Sequence, residues 1–305
     1  MSGGRGGRTV GRERITYHFG PELEPVLEIE SGETVTFETL DASSGRVRQA
    51  SDIPAYMRIR DPRRVNPASG PIAVRGAEAG DELRVEILAI ELEDVGWCRL
   101  TPGAGVMRDE IDELHGMIFH VVGDELVSET GIRFPTRPMV GVIGTCPAEG
   151  RYVTAEPGPH GGNLDFNDVM VGTVAHLPVF VPGGLLALGD VHASMGDGEV
   201  SGTAVEISAR VTVRVELVKG AARARPWFEA AGCWLTYGTA PDLEEAVRIA
   251  VSEMATFLED RLRVSRPEAF LLISARGDVR IGQSARCGID QTVRVLFPRL
   301  APAGG

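Results

Sequence analysis

Two stretches of this chain combine histidine, carboxylate and glycine as ordinary scaffold rarely does. The first, EPGPHGGNLDFND over residues 156–168, carries His160; the second, LGDVHASMGDGE over residues 188–199, carries Asp190, His192 and Glu199. Imidazole and carboxylate suit a borderline divalent metal such as zinc, and carboxylate also suits calcium. Asp190 and His192 stand two residues apart, so an extended segment would point both to one side. His160 would join them from a separate glycine-rich loop. Glu199 sits in a GDGE turn and can stay off the metal as a general base toward a bound water. The bland alternative keeps GDGE as a simple turn. Two such windows within 45 residues favour a site.

Other catalytic schemes find less support. The nearest approach to GxSxG is the stretch GQSAR from Gly282 to Arg286, which lacks the final glycine of a nucleophile elbow. Lysine-dependent amide hydrolases need a lysine, and the chain has only Lys219, at the end of a strand-like run. Cys146 reads as a small buried thiol before it reads as a nucleophile. The dinucleotide fingerprint, the P-loop and HExxH are absent. His176 has apolar neighbours and reads as packing, while His115 and His120 belong to a solvated acidic segment. Metal-activated water is the scheme that remains.

The elements that must hold these windows are mostly strands. Val205–Leu217 alternates, with apolar odd positions and Glu206, Ser208, Arg210, Thr212, Arg214 and Glu216 on a wet face. Leu83, Val85 and Ile87 alternate too, then the phase shifts to Leu88, Ile90 and Leu92, which suggests a bulge. Glu33–Thr39 and Phe119–Leu126 are shorter strand candidates. After Gly220 the texture changes. Pro241 and the acids that follow start a helix to about Leu262, and Ser265 caps a second through Leu272. Gly277–Ile281 and Thr292–Phe297 close the chain as strands. The expected organisation is a disordered Gly/Arg-rich leader over residues 1–14, a β-rich body over 15–219, and a smaller α/β portion over 220–305. This is a mainly β fold, α+β overall, with a β-sandwich or barrel-like body.

Composition narrows the partners. The 305 residues carry 43 acids against 31 bases, a formal charge of −12. Such a surface repels phosphate backbones and anionic lipid, so nucleic acid and membrane are not expected as partners. The four cysteines, Cys98, Cys146, Cys233 and Cys287, are scattered and form no CxxC. Residues 1–14 have no apolar segment of a signal peptide, which makes the cytoplasm the expected compartment.

At its chemical windows the chain resembles the acetamidase/formamidase family. PGPHGGNLD over residues 157–165 is similar to the family's PGxHGGNMD, with Leu164 where methionine is usual. GDVHA over 189–193, GDGEV over 196–200 and GTAVE over 202–206 resemble its GDxHAxxGDGE stretch. NPASGPIAVRGAEAGD over 66–81 resembles NPxTGPxxVxGAxxGD, with Ser69 in place of threonine. The resemblance implies hydrolysis of a short amide to carboxylate and ammonia, a homo-oligomer, and a divalent metal, zinc first and calcium second. His160, Asp190 and His192 would hold the ion, with Asp165 as a fourth ligand or a partner to one. Asn163, or a loop N–H, would stabilise the oxyanion. Gly161, Gly162 and Asp197 would contact substrate. Trp227, Trp234 and Tyr237 are the aromatics a late wall would use, though each also reads as core. A non-catalytic, metal-containing β protein that binds a small ligand is the rival, as is hydrolysis of another C–N bond such as a carbamate.

Overall fold

Two large sheets share one core: strands of the larger alternate buried and wetter positions, as in Ala209–Val218, while the central strands of the second are buried on both faces. The structure, a computed structural model, describes residues 7–285 and 288–300. The larger sheet has nine strands in the order Arg8–Val10, Glu33–Thr39, Ala209–Val218, Glu82–Leu92, Val174–Pro178, Trp227–Ala230, Cys233–Ala240, Gln291–Pro298 and Asp278–Ile281. The second runs Pro157–Gly158, Gly161–Asn163, Met139–Gly144, Leu186–His192, Ala68–Val74 and Ile15–Thr16, with Leu27–Ile29 also paired to Ala68–Val74. Val35, Phe37, Val85, Val211 and Val213 of the first sheet pack in one cluster with Ile72, Val140, Ile143, Leu188 and Val191 of the second. Each such buried side chain contributes roughly 1.5–3 kcal/mol. A four-stranded sheet, Val95–Leu100 through Arg133–Pro135, lies alongside.

Much of the expected pattern is present. Glu33–Thr39 is a strand at those bounds. Glu82–Leu92 is one strand whose pairing to Ala209–Val218 shifts register between Thr212 and Val213, where Ala89 and Ile87 face them and Leu88 is left over. That is the bulge the phase shift required. The first late helix is Leu243–Leu262, its first turn capped by the Asp242 carboxylate, which accepts from the Glu245 N–H at 3.0 Å. The second is Arg266–Arg276, where the Glu268 carboxylate accepts from the Ser265 N–H at 2.8 Å.

Four expectations change. Arg8–Val10 of the presumed leader pairs in parallel with Val35–Phe37, because buried Val10 fills a place in the core; residues 1–6 lie outside the described residues. Phe119–Leu126 is a hairpin, not one strand: His115–Val122 turns at Gly123 and returns as Glu125–Ser128. Residues 220 onward supply four strands to the body's own large sheet, so their boundary at 219 falls inside a continuous sheet. Glu206 and Ser208 are buried, at 3% and 2% exposure, although the alternation placed them on a wet face. Glu206 is covered because it leaves the large sheet and bridges to Trp97 and His192. A short helix, Asp52–Ile59, had no expectation attached to it.

Candidate functional site

Strand Leu186–His192 lies between Met139–Gly144 and Ala68–Val74, and its last residues deliver the chemistry. Asp190 is not extended: its φ is +54°. Its carboxylate nonetheless reaches the same place as His192, with His192 Nε2 lying 3.8 Å from Asp190 Oδ1. Asp165, also left-handed at φ +50°, completes a group in which Asp165, Asp190 and His192 offer ligand atoms within 4.8 Å of one another. His192 belongs to a second such group with Glu199 and Glu206, and its Nε2 is 3.5 Å from Glu206 Oε1. Eight non-glycine residues among those described have positive φ, and Asn66, Asp165, Asp190 and Glu199 are four of them. Strained backbone collected in one place is typical of sites that must hold groups the fold would otherwise keep apart.

The neighbours that hold this cluster come from distant parts of the chain. Asn66 Nδ2 donates to Asp190 Oδ2 at 2.7 Å and to Asn163 Oδ1 at 3.2 Å. Gln283 Nε2 donates to the Asn163 carbonyl at 3.0 Å. Gly141 faces both aspartates, and a Cβ there would lie 2.5 Å from Asp165 Oδ1 and 2.8 Å from the Asp190 carbonyl. Gly141→Ala is therefore expected to abolish tight divalent-cation binding, checked by metal analysis of the purified variant. Wild-type metal content in that variant would contradict the crowding.

Burial dominates the electrostatics. It raises Asp190 well above the ordinary carboxylate range, with Glu206 adding to the rise and His192 opposing it. Burial also pushes Glu199 up to about 8, against His192, with Glu206 and Asp190 adding. Glu206 is pushed up to about 8 by burial and then by Asp41, against Arg99. Asp190 Oδ1, both ring nitrogens of His192 and Glu206 Oε2 are buried without a hydrogen-bond partner. Each unpaired buried polar atom costs about 1–3 kcal/mol. The oxygen and imidazole donors fit a divalent cation, which would satisfy them.

The remaining expected residues are placed as follows. His160 belongs to neither ligand group; its ring is buried between Phe19 and Tyr152, at centroid distances of 4.9 and 4.7 Å. Burial holds its pKa down to about 4, and neither ring nitrogen has a hydrogen-bond partner. The left-handed Gly161 and Gly162 fold the loop back so that this ring packs on Gly158 and Gly162. Both glycines are packed against backbone, where added Cβ atoms would lie 2.2 Å from the Ile143 carbonyl and 2.3 Å from that of Glu156. That makes their role conformational. Asp197 accepts from Arg294 Nη2 at 2.6 Å and from Asn167 Nδ2 at 2.8 Å. Burial would raise its pKa, but the Arg294 guanidinium and the Asn167 amide outweigh that and hold it low. Asp197 anchors the GDGE loop to the late strand Gln291–Pro298.

Asn163, Glu199 and Glu206 line a cavity of about 540 Å³ that also touches Asn66, Trp97 and Gln283. Gln283, Ala285 and Ile289 bring the late portion into its wall. Tyr237 is core, and its hydroxyl donates to the Gly158 carbonyl at 2.7 Å. Trp227 stacks on His176 at 3.6 Å, both rings also meet the buried Glu82 carboxylate through His176 Nδ1 at 2.7 Å and Trp227 Nε1 at 3.2 Å, and Trp234 packs against the helix cluster. Cys146 is fully buried in an apolar cluster away from the cavity, its thiol pushed up to about 11 by burial. Lys219 pairs with Asp81 at 2.7 Å on the surface. His115 and His120 are exposed. Cys287 lies outside the described residues. Sequence reasoning missed Glu206, Asn66, Gly141, Gln283 and Arg294 as parts of the site.

A two-sheet β body whose buried carboxylate and imidazole cluster meets a cavity through Glu199 and Glu206 defines a class of small-molecule site. Family comparison makes the class specific: the acetamidase/formamidase family model matches residues 9–155 and 148–285. The chain belongs to that family. It is similar to a crystal structure of acetamidase from Bacillus halodurans, with 38% identity and a TM-score of 0.89 over 95% of this chain and 96% of that one. It is 26% identical over 263 residues to a formamidase of Methylophilus methylotrophus, covering 68% of this chain and 64% of that protein. It is 25% identical over 264 residues to an acetamidase of Mycolicibacterium smegmatis, covering 66% and 65%. The matches thus span slightly less than two thirds of these curated relatives' length. Among the described residues, no helix is long and apolar enough to cross a membrane.

Proposed function

We propose that this chain is an amidohydrolase that cleaves a short-chain amide to carboxylate and ammonia. The observation that carries the reading is the second ligand group: Glu199 and Glu206 stand beside His192 and face the cavity. Family membership and the formamidase and acetamidase relatives support the same chemistry. Asp165, Asp190 and His192 would hold a divalent cation, and the mixed nitrogen and oxygen donors favour zinc over calcium. Such a cation lowers the pKa of a water bound to it and polarises a carbonyl. Glu199 accepts the proton of the attacking water and returns it to the departing nitrogen. Asn163, held by Asn66 and Gln283, would donate to the tetrahedral oxyanion, an effect worth about 3 kcal/mol where it has been removed. Asn66 steers the Asp190 carboxylate. Arg294 holds the Glu199 loop through Asp197.

An ammonia-release assay across formamide, acetamide, propionamide and ethyl carbamate tests the reading. Ammonia from at least one short amide is expected; ammonia from none would contradict it. We place the enzyme in the cytoplasm as a homo-oligomer. Cys98, Cys146 and Cys233 are free thiols, and helix Arg266–Arg276 exposes Phe270 and Leu271 at 60% and 68%. Sedimentation should give a multiple of the 32.6 kDa chain mass; a monomer at all concentrations would contradict assembly.

A further inference from the structure

We propose that the preferred substrate is an amide that also carries a carboxylate, held by Arg60 and Arg99 at the wall of the catalytic cavity. This inference rests on the amidase reading and names its substrate class. Acetamide has four non-hydrogen atoms, whereas a cavity of about 540 Å³ falls in the range of about 300–1,000 Å³ that encloses much larger ligands. Its lining is not neutral. Arg60, Arg63 and Arg99 all contribute to it, in a chain whose formal charge is −12.

The three arginines differ in what already occupies them. Arg63 is taken, with its Nε donating to Asp61 Oδ1 at 3.2 Å. Arg60 follows helix Asp52–Ile59, has no carboxylate partner among the described residues, and buries its Nε without a hydrogen bond. Arg99 donates from Nη1 to Thr101 Oγ1, a neutral partner, and its backbone is fixed as well: its N–H donates to Thr203 Oγ1 at 2.9 Å, and that hydroxyl donates to the Arg99 carbonyl at 3.0 Å. Two residues earlier on the same strand, Trp97 exchanges backbone hydrogen bonds with Glu206 at 3.0 and 2.8 Å. Residues directly opposite in an antiparallel pair share a face, as do residues two apart on one strand. Arg99 therefore faces the same side as Glu206, about 7 Å farther along, and its charge is felt there as a lowering of the Glu206 pKa. A guanidinium at that offset from the reacting end matches a carboxylate a few bonds from the scissile amide. The planar fork is the geometry that carboxylates bind best.

The reaction balances for such a substrate. A water oxygen forms the new C–O bond and the C–N bond breaks. One water proton passes through Glu199 to the departing nitrogen, and the other leaves the new carboxylic acid for the ammonia released, giving a dicarboxylate and ammonium. The test compares succinamate with its neutral isostere 4-methylpentanamide in the wild-type enzyme and in Arg60→Ala, Arg60→Lys and Arg99→Ala. Wild type should favour succinamate in kcat/KM by at least about tenfold. Arg60→Ala should lower that preference ratio by about 10–100-fold, chiefly through KM, with Arg60→Lys in between. Arg60 lies at a partly exposed helix end, so its variants keep the test open if Arg99→Ala fails to fold. A wild-type ratio of one or less, or an unchanged ratio in Arg60→Ala, overturns the proposal. Ammonia from neutral amides alone overturns only the charge assignment, whereas ammonia from neither class overturns the amidase reading with it.

Discussion

Glu199→Gln is expected to lower kcat for amide hydrolysis by about 10²–10⁴-fold, the range general acid–base catalysis contributes. The substitution keeps the shape of the side chain and removes only its ability to accept a proton. Glu199 and Glu206 both lie beside His192, so position alone does not separate them. Exposure does. Glu206 is buried at 3%, beside Asp190 and under the influence of Asp41, whereas Glu199 is partly exposed on a turn at the cavity wall. Water reaches Glu199 more readily. Its φ of +40° and the Asp197–Arg294 anchor show that the turn is held in an unfavourable backbone state. The measurement is steady-state ammonia release alongside metal analysis. Turnover should fall while metal content stays at the wild-type level. Full activity in this variant, with Glu206→Gln inactive, would move the base to Glu206.

The second large effect is on stability, through removal of the cation. Without one, Glu199 and Glu206 keep protons in the folded chain up to about pH 8, because burial disfavours their charge. In the unfolded chain the same groups lose their protons near 4.5. Between those values the folded state binds more protons than the unfolded state, so stability falls as pH rises. This is the reverse of the usual paired carboxylate. Chelated protein should melt at least about 5 °C lower at pH 8 than at pH 5.5, and added zinc should remove most of that difference. His192→Ala should lose metal and activity together. Thermal unfolding in chelator across this pH range checks the sign; a flat or rising profile would contradict it.

The parts of the fold legible in the sequence are those where one local rule acts alone. Ala209–Val218 alternates because one face meets the core and the other meets water, and Leu243–Leu262 carries its cap and its apolar spacing within itself. Asp165, Asp190 and His192 were legible as chemistry because histidine and aspartate among glycines are poor scaffold. Glu206 was not. The alternation continues through Glu206 in sequence, but the strand begins only at Ala209, and before it the chain leaves the large sheet and bridges to Trp97 and His192. His160 shows the limit of a local reading, since its neighbours read as a ligand loop while its ring packs between Phe19 and Tyr152, beside the left-handed Gly161 and Gly162. Asn66 lies 124 positions from Asp190, and Gln283 lies 120 from Asn163. Only pairing in the sheets brings such residues together, and nothing in their spacing announces it. Gly141 is the sole missed residue with a local signal, a glycine in the middle of an apolar strand, which often marks close approach by another group.

The central claim is that the buried Asp165, Asp190 and His192 group is a cation site serving amide hydrolysis. One experiment addresses it most directly: ammonia release and divalent-metal content measured on the same sample, before chelation, after it, and after metal is restored. The expected result is that activity falls and returns in step with bound metal. Undiminished ammonia release from metal-depleted protein would contradict it.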